Sequence, residues 1–113
     1  MKKVLLILTL VSIAFFMACT KKASPAKVIP TTYTADVLPL AQAKCTPCHL
    51  PSKGGNKGSF ENYESAKKYA PEMLERVMLT PGQRGFMPFK HEKLADAEIA
   101  VIKKWIDQGL LEK

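Results

Sequence analysis

The segment Cys45-Thr46-Pro47-Cys48-His49 holds the side chains of this 113-residue sequence that are best suited to chemistry. Two thiols separated by two residues can form a disulfide, act as a redox pair or supply part of a zinc site. The imidazole directly after the second thiol adds a further possibility, because Cys-x-x-Cys-His is the signature for covalent attachment of a c-type haem. The thiols would then bond to one edge of the porphyrin, and a side chain in the same turn could reach the iron.

The rest of the sequence favours haem over the other interpretations. A thioredoxin-like redox pair would follow a β-strand in a βαβ unit, and the chain has no such strand pattern. A zinc site would need further ligands, but the only other His is His91 and the only other Cys is Cys19. We therefore predict that Cys45 and Cys48 attach a haem c and that His49 is the proximal ligand of its iron.

A second axial ligand is expected on the other side of the iron. Met87 is the best candidate, because it lies in a short loop between Gly85 and Pro88 that could cross the haem face. His91, in a charged stretch, is the main competitor for this position. Two other methionines, Met73 and Met78, lie at helical spacing among apolar residues and are predicted to fill the core.

The imidazole of His49 is also expected to need a hydrogen-bond acceptor that fixes its orientation. A ligating imidazole usually donates its other ring N–H to an acceptor that fixes the tautomer and the plane of the ring. The loop at residues 51–58 is the nearest source of a backbone carbonyl, so we predict that it supplies the acceptor.

The N-terminus has the layout of a secretory signal peptide: Lys2 and Lys3, an apolar stretch at residues 4–17, then Ala18 and Cys19. The apolar stretch is too short to span a hydrocarbon core of roughly 30 Å as a helix. The end of the stretch resembles a bacterial lipoprotein processing site, which implies lipidation of Cys19. Ordinary cleavage would instead leave a free thiol there.

We therefore predict a signal peptide at residues 1–18, a lipidated Cys and flexible tether at residues 19–32, and a folded domain at residues 33–113. The tether stretch is rich in Lys, Pro, Ser and Thr and has no apolar periodicity. The expected location is the periplasmic side of a bacterial membrane, with the lipid as anchor.

The charge balance says little about partners. The chain has 17 Lys and Arg against 10 Asp and Glu, a formal net charge of +7. Five lysines precede the folded part: Lys2, Lys3, Lys21, Lys22 and Lys27. From residue 33 onward, 12 basic residues are scattered among 10 acidic ones. A nucleic-acid surface needs clustered basic residues, preferably with stacking aromatics, so nucleic acid is not expected as a partner.

The folded part is predicted to be all-α, because apolar residues recur three and four positions apart and never alternate for long. The first helix is expected to have Asp36 as its N-cap, since this places Pro39 in the first turn, where a missing N–H does no harm. The helix leads into Cys45. Residues 50–59 contain three glycines and are predicted to form a loop.

Three further helices are predicted after this loop. The first covers residues 60–69 with Ser59 as N-cap, and the second covers residues 71–78 with Pro71 in its first turn. The last covers residues 96–108, with Ala95 as a weak N-cap and Gly109 as the stop. Its apolar stripe consists of Ile99, Ile102, Trp105 and Ile106.

So small a set of helices buries little apolar surface, and a haem would complete the core. Phe86, Ile102 and Trp105 are expected to be hydrophobic wall and not part of a substrate-binding site.

Taken together, the chain resembles the monohaem class I c-type cytochromes of bacteria, of the lipoprotein or periplasmic type. The resemblance extends over residues 33–110. It is carried by residues 33–40 leading into the Cys-x-x-Cys-His segment, by Gly85-Phe86-Met87-Pro88, and by residues 94–99 and 104–109.

The resemblance implies about four short helices wrapped around a covalent haem with His49 and Met87 as axial ligands. Such a protein is a one-electron carrier and not an enzyme. Its partners would be redox proteins that dock briefly, with no small-molecule substrate. An open distal position would instead indicate a gas sensor or a minor peroxidase. A third possibility is a haem-bearing accessory subunit of a larger respiratory complex.

Overall fold

The computed structural model describes residues 28–113. The predictions for the signal peptide, for Cys19 and for most of the tether concern residues 1–27 and lie outside the described part. Within residues 28–113, no helix is long and apolar enough to cross a membrane.

The described part contains three α-helices and no β-strand: α1 (Leu38–Lys44), α2 (Tyr63–Met78) and α3 (Asp96–Asp107). A π-helical turn, Tyr33–Val37, runs directly into α1, and a 3₁₀ turn, Pro51–Lys53, lies in the loop before α2. The all-α prediction is confirmed. The prediction of four helices is wrong, because the two expected before and after Ala70 form the single helix α2.

Helix α2 continues through Pro71, which was expected to begin a new helix. The residues Ala66, Ala70, Met73 and Val77 are buried along one face of this helix. Their spacing continues unbroken past Pro71, whose own side chain is exposed. Burial of this face offsets the cost of an interior proline, about 3 kcal/mol.

The N-cap of α2 is Asn62, whose side-chain oxygen accepts a hydrogen bond from the backbone N–H of Ser65 at 2.9 Å. The prediction of Ser59 as the cap is therefore wrong. The hydroxyl of Ser59 accepts instead from the N–H of Glu61 at 3.1 Å, in the turn that precedes the helix.

The first helical segment also begins earlier than predicted. Thr32 is the cap: its hydroxyl accepts from the N–H of Ala35 at 3.3 Å. Asp36 is not the N-cap but lies inside the first turn, where its carboxylate accepts from the N–H of Thr32 at 2.8 Å. This reciprocal pair satisfies two backbone donors at the helix start, as in a capping box. Pro39 lies in the first turn of α1.

The core consists of two clusters. The terminal cluster joins the π-helical turn to α2 and α3 through Tyr33, Val37, Ala66, Ala70 and Trp105. The central cluster consists of Ala41, Phe60, Met73, Val77, Leu94 and Ile102. The terminal cluster holds the two ends of the domain together, and the central cluster lies beside the candidate site.

Hydrogen bonds to the C-terminal tail reinforce the terminal cluster. The carbonyl oxygen of Leu111 accepts from the backbone N–H of Tyr33 and from the indole N–H of Trp105, both at 2.8 Å. The hydroxyl of Tyr63 donates to the carbonyl of Leu110 at 2.8 Å. The start and the end of the domain are thus tied to the same buried tryptophan.

Helix α3 matches its prediction to within one residue. Ala95 is the N-cap, and Gly109 follows the helix with a φ of +91°. Within the predicted stripe, Ile102 and Trp105 are buried and the two other isoleucines are partly buried. Ala95 has no side-chain acceptor; the carboxylate of Glu98 accepts from its backbone N–H at 2.9 Å.

The missing acceptor at this cap leads to a stability prediction. Ala95→Ser should raise the free energy of unfolding by about 1 kcal/mol, because a hydroxyl at this position can accept from an N–H of the first turn. Chemical denaturation of the purified protein measures the change. Ala97→Ser, also exposed but inside α3, is the control and should be neutral or slightly destabilising. Equal effects of the two substitutions would contradict the capping argument.

Candidate functional site

The Cys-x-x-Cys-His segment forms a turn at the C-terminal end of α1. Cys45 is the C-cap of that helix, and its N–H donates to the carbonyl of Ala41 at 2.8 Å. The N–H of His49 donates to the carbonyl of Cys45 at 3.1 Å. This bond closes a single turn that contains both thiols and the imidazole.

The two thiols differ in their surroundings and are not joined to each other. Cys48 is exposed, whereas Cys45 is partly buried. Burial raises the pKa of the Cys45 thiol to about 11. A thiol with so high a pKa is a poor redox nucleophile, because thiolate chemistry depends on a lowered pKa.

A cavity of about 460 Å³ opens beside this turn. Its volume lies within the range of about 300–1,000 Å³ that is usual for sites of small molecules and cofactors. Every residue of the described part that the sequence analysis assigned to haem attachment or to an axial position lines it: Cys45, Cys48, His49, Met87 and the competitor His91. Residues that are 38 or more positions apart in sequence thus meet at one cavity.

The wall of the cavity is mainly apolar. It is formed by Phe60, Met73, Val77, Pro88 and Leu94, together with Phe89 at the exposed end of the Met87 loop. Phe86, Ile102 and Trp105, which were predicted to be hydrophobic wall, are buried, and none of them lines the cavity. Ile102 and Trp105 belong to α3, none of whose residues lines this cavity, and Phe86 lies in the loop before Met87.

The prediction that the loop at residues 51–58 supplies a carbonyl acceptor for the imidazole of His49 is confirmed. Its Nδ1 lies 2.7 Å from the carbonyl oxygen of Gly58. A carbonyl can only accept, so Nδ1 carries the proton and the lone pair is on Nε2, the atom available to a metal. The ring also stacks on Phe60, with the centroids 4.2 Å apart and the planes 1° from parallel. These two contacts fix the tautomer and the plane of the ring.

The glycine-rich loop holds the Cys-x-x-Cys-His turn through the backbone. The N–H of Lys57 donates to the carbonyl of Cys48 at 3.0 Å, and the N–H of Phe60 donates to the carbonyl of His49 at 2.9 Å. Gly55 permits this approach, because a Cβ at this position would lie 2.2 Å from the carbonyl oxygen of Pro47.

The loop with Met87 approaches from the end of α2. The N–H of Met87 donates to the carbonyl of Arg76 at 3.2 Å, and its side chain packs against the central cluster. His91 is more exposed, and its N–H donates to the carbonyl of Pro88 at 3.2 Å.

Met73 and Met78, the two methionines that were predicted to fill the core, differ in their burial. Met73 is buried, as predicted, but it also lines the cavity, which the sequence analysis missed. The sequence feature that could have indicated this is its position one turn before Val77, on the buried face of α2. Met78 is 57% exposed, so its assignment to the core is wrong. It is the last residue of α2 and lies off the buried face of that helix.

The donor set fits a haem better than a zinc ion. No group of three or more His, Cys, Asp and Glu side chains comes together within residues 28–113 to hold a metal ion. A c-type haem needs only two thiols at one edge, one imidazole and one further axial donor, and all four line the apolar cavity. Comparisons of the chain with protein-family models, with curated proteins and with solved structures found no match.

The close approach at Gly55 leads to a second prediction. Gly55→Ala should lower the free energy of unfolding by about 3 kcal/mol, because the new methyl group would collide with two carbonyl oxygens of the Cys-x-x-Cys-His turn. The control is Gly54→Ala, where nothing lies near the new Cβ and only the φ of +85° is unfavourable, at about 1 kcal/mol. Denaturant titration compares the two. A smaller loss for Gly55→Ala than for Gly54→Ala would contradict the packing seen here.

Proposed function

We propose that this protein is a one-electron carrier with a haem c attached to Cys45 and Cys48. The observation that carries the proposal is the meeting of both thiols, His49 and Met87 at one apolar cavity beside a single turn. When bound, a haem supplies a reversible one-electron change at its iron. The chain's own residues would attach it, orient it, supply its axial donors and keep water from its faces.

Each residue has a distinct role in this proposal. The thiols attach the group to the turn, and Nε2 of His49 is the proximal donor because the Gly58 carbonyl occupies Nδ1. Met87 is the distal donor, and the hydrogen bond from its backbone N–H to the carbonyl of Arg76 holds its loop in place. A thioether donor favours the reduced state of the iron and raises the reduction potential. With both His49 and Met87 as donors, a bound haem would have no iron position left for a substrate.

The location and partners belong to the same proposal. A lipid on Cys19 and the tether that follows it would keep the domain at the periplasmic surface of a bacterial membrane and let it reach redox proteins. Electron exchange with such partners requires only small, short-lived interfaces.

The proposal is tested by the optical spectrum of the purified protein after expression together with a cytochrome c maturation system. We expect the bands of a c-type haem, and a haem that stays with the polypeptide under denaturing conditions. Cys45→Ser combined with Cys48→Ser should abolish the covalent attachment, whereas Thr46→Ser, in the same turn, should preserve it. A colourless wild-type protein would refute the proposal.

The distal donor is tested by comparing two methionines that both line the cavity. Met87→Leu should remove the absorption band that arises from the bond between the haem iron and the methionine sulfur in the oxidised protein. It should also lower the reduction potential and allow carbon monoxide to bind the reduced protein. Met73→Leu should leave all three properties close to wild type, because Met73 fills the core. His91→Ala should resemble Met73→Leu. Carbon monoxide binding by the wild-type protein would favour a gas sensor or peroxidase instead.

A further inference from the structure

The two contacts that hold the imidazole of His49 come from neighbouring residues of one short segment, residues 58–60. The carbonyl of Gly58 accepts from Nδ1, and the ring of Phe60 stacks on the imidazole. A movement of this segment would therefore loosen both contacts together. The orientation of the imidazole depends on whatever holds the segment in place.

Backbone hydrogen bonds hold the two halves of the glycine-rich loop separately. In the second half, the N–H groups of Lys57 and Phe60 donate to carbonyls of the Cys-x-x-Cys-His turn. In the first half, the N–H of Gly54 donates to the carbonyl of Pro51, within the 3₁₀ turn. This second bond is local and does not reach the segment 58–60.

The side chain of Glu61 joins the two halves of the loop. Its carboxylate accepts from the backbone N–H of Ser52 at 2.9 Å and also from the hydroxyl of Ser52. The contact links the 3₁₀ turn to the residue that directly follows the segment 58–60. The backbone of Glu61 is also held there, because its N–H donates to the hydroxyl of Ser59 at 3.1 Å.

The charge of Glu61 strengthens this link. The hydroxyl of Ser52 lowers the pKa of the Glu61 carboxyl most, followed by the N–H of Ser52, and the nearby charge of Lys53 lowers it further. The group is therefore ionised at neutral pH. Hydrogen bonds to an ionised acceptor are stronger than those between neutral groups.

We propose that Glu61 is a positioning residue for the proximal imidazole: by joining the 3₁₀ turn to the segment 58–60, its carboxylate holds the Gly58 carbonyl and the Phe60 ring against His49. This inference rests on the proposed function, in which His49 is the proximal donor. A hydrogen bond from Nδ1 makes the imidazole a more basic ligand through Nε2. Loss of the Glu61 carboxylate should therefore weaken this donation and raise the reduction potential of the iron.

The test follows the Nδ1 proton of His49 by NMR in the reduced haem protein, labelled with nitrogen-15 in its histidines. Glu61→Ala should accelerate the exchange of this proton with solvent by about tenfold, because the loop opens more often, and should raise the reduction potential. Ser52→Ala removes the hydroxyl but keeps the N–H, so it should give a smaller effect in the same direction. Ser52→Thr keeps both donors and should stay close to wild type.

Glu64→Ala is the matched control, because Glu64 is an exposed acidic residue shortly after Glu61, in the first turn of α2. It should change neither the exchange of the His49 proton nor the reduction potential. The indole N–H of Trp105, which donates to the carbonyl of Leu111 in the terminal cluster, is the internal reference. It should exchange at the same rate in all of these proteins.

Equal exchange of the Nδ1 proton in wild type and Glu61→Ala would overturn the inference. An equal acceleration in Glu64→Ala would also overturn it, because it would indicate a general effect of charge. The same holds for an equal acceleration at the indole of Trp105, which would indicate a general loss of stability. In all three cases the haem is still attached, whereas a protein without haem would refute the proposed function and the inference with it.

Discussion

The hydrogen bond from Nδ1 of His49 to the carbonyl of Gly58 orients the group on which the candidate site depends. Without it the imidazole could adopt either tautomer and rotate about its side-chain bonds. The bond requires the glycine-rich loop to lie against the Cys-x-x-Cys-His turn, and the approach of Gly55 to the carbonyl of Pro47 makes that possible. Small residues in the loop are thus a condition for the geometry of the histidine.

The two core clusters have different tasks. The terminal cluster closes the domain by packing the π-helical turn and the C-terminal tail around Trp105. The central cluster leaves an apolar cavity open beside the turn with the thiols. Helix α2 belongs to both clusters, since Ala66 and Ala70 pack in one and Met73 and Val77 in the other. A continuous α2 therefore connects the fixed ends of the domain with the wall of the site.

This arrangement explains why the helix is not divided at Pro71. A break there would separate the residues that close the domain from the residues that line the cavity. The sequence rule that a proline begins or ends a helix is local, whereas burial of the four-residue face is a property of the packed domain. The shift of the first cap from Asp36 to Thr32 has a local cause, because the Asp36 carboxylate accepts from the N–H of Thr32 from within the turn.

The sequence by itself determined the helical class, the extent of α3 and the set of side chains suited to chemistry. These features depend on local periodicity and on residues adjacent in the chain, such as the two thiols and the imidazole. Only the tertiary structure decided that Met73 lines the cavity and that Trp105 is buried without lining it. The physical reason is that a cavity wall is made by side chains from separate elements, whose relative placement depends on packing and not on sequence spacing.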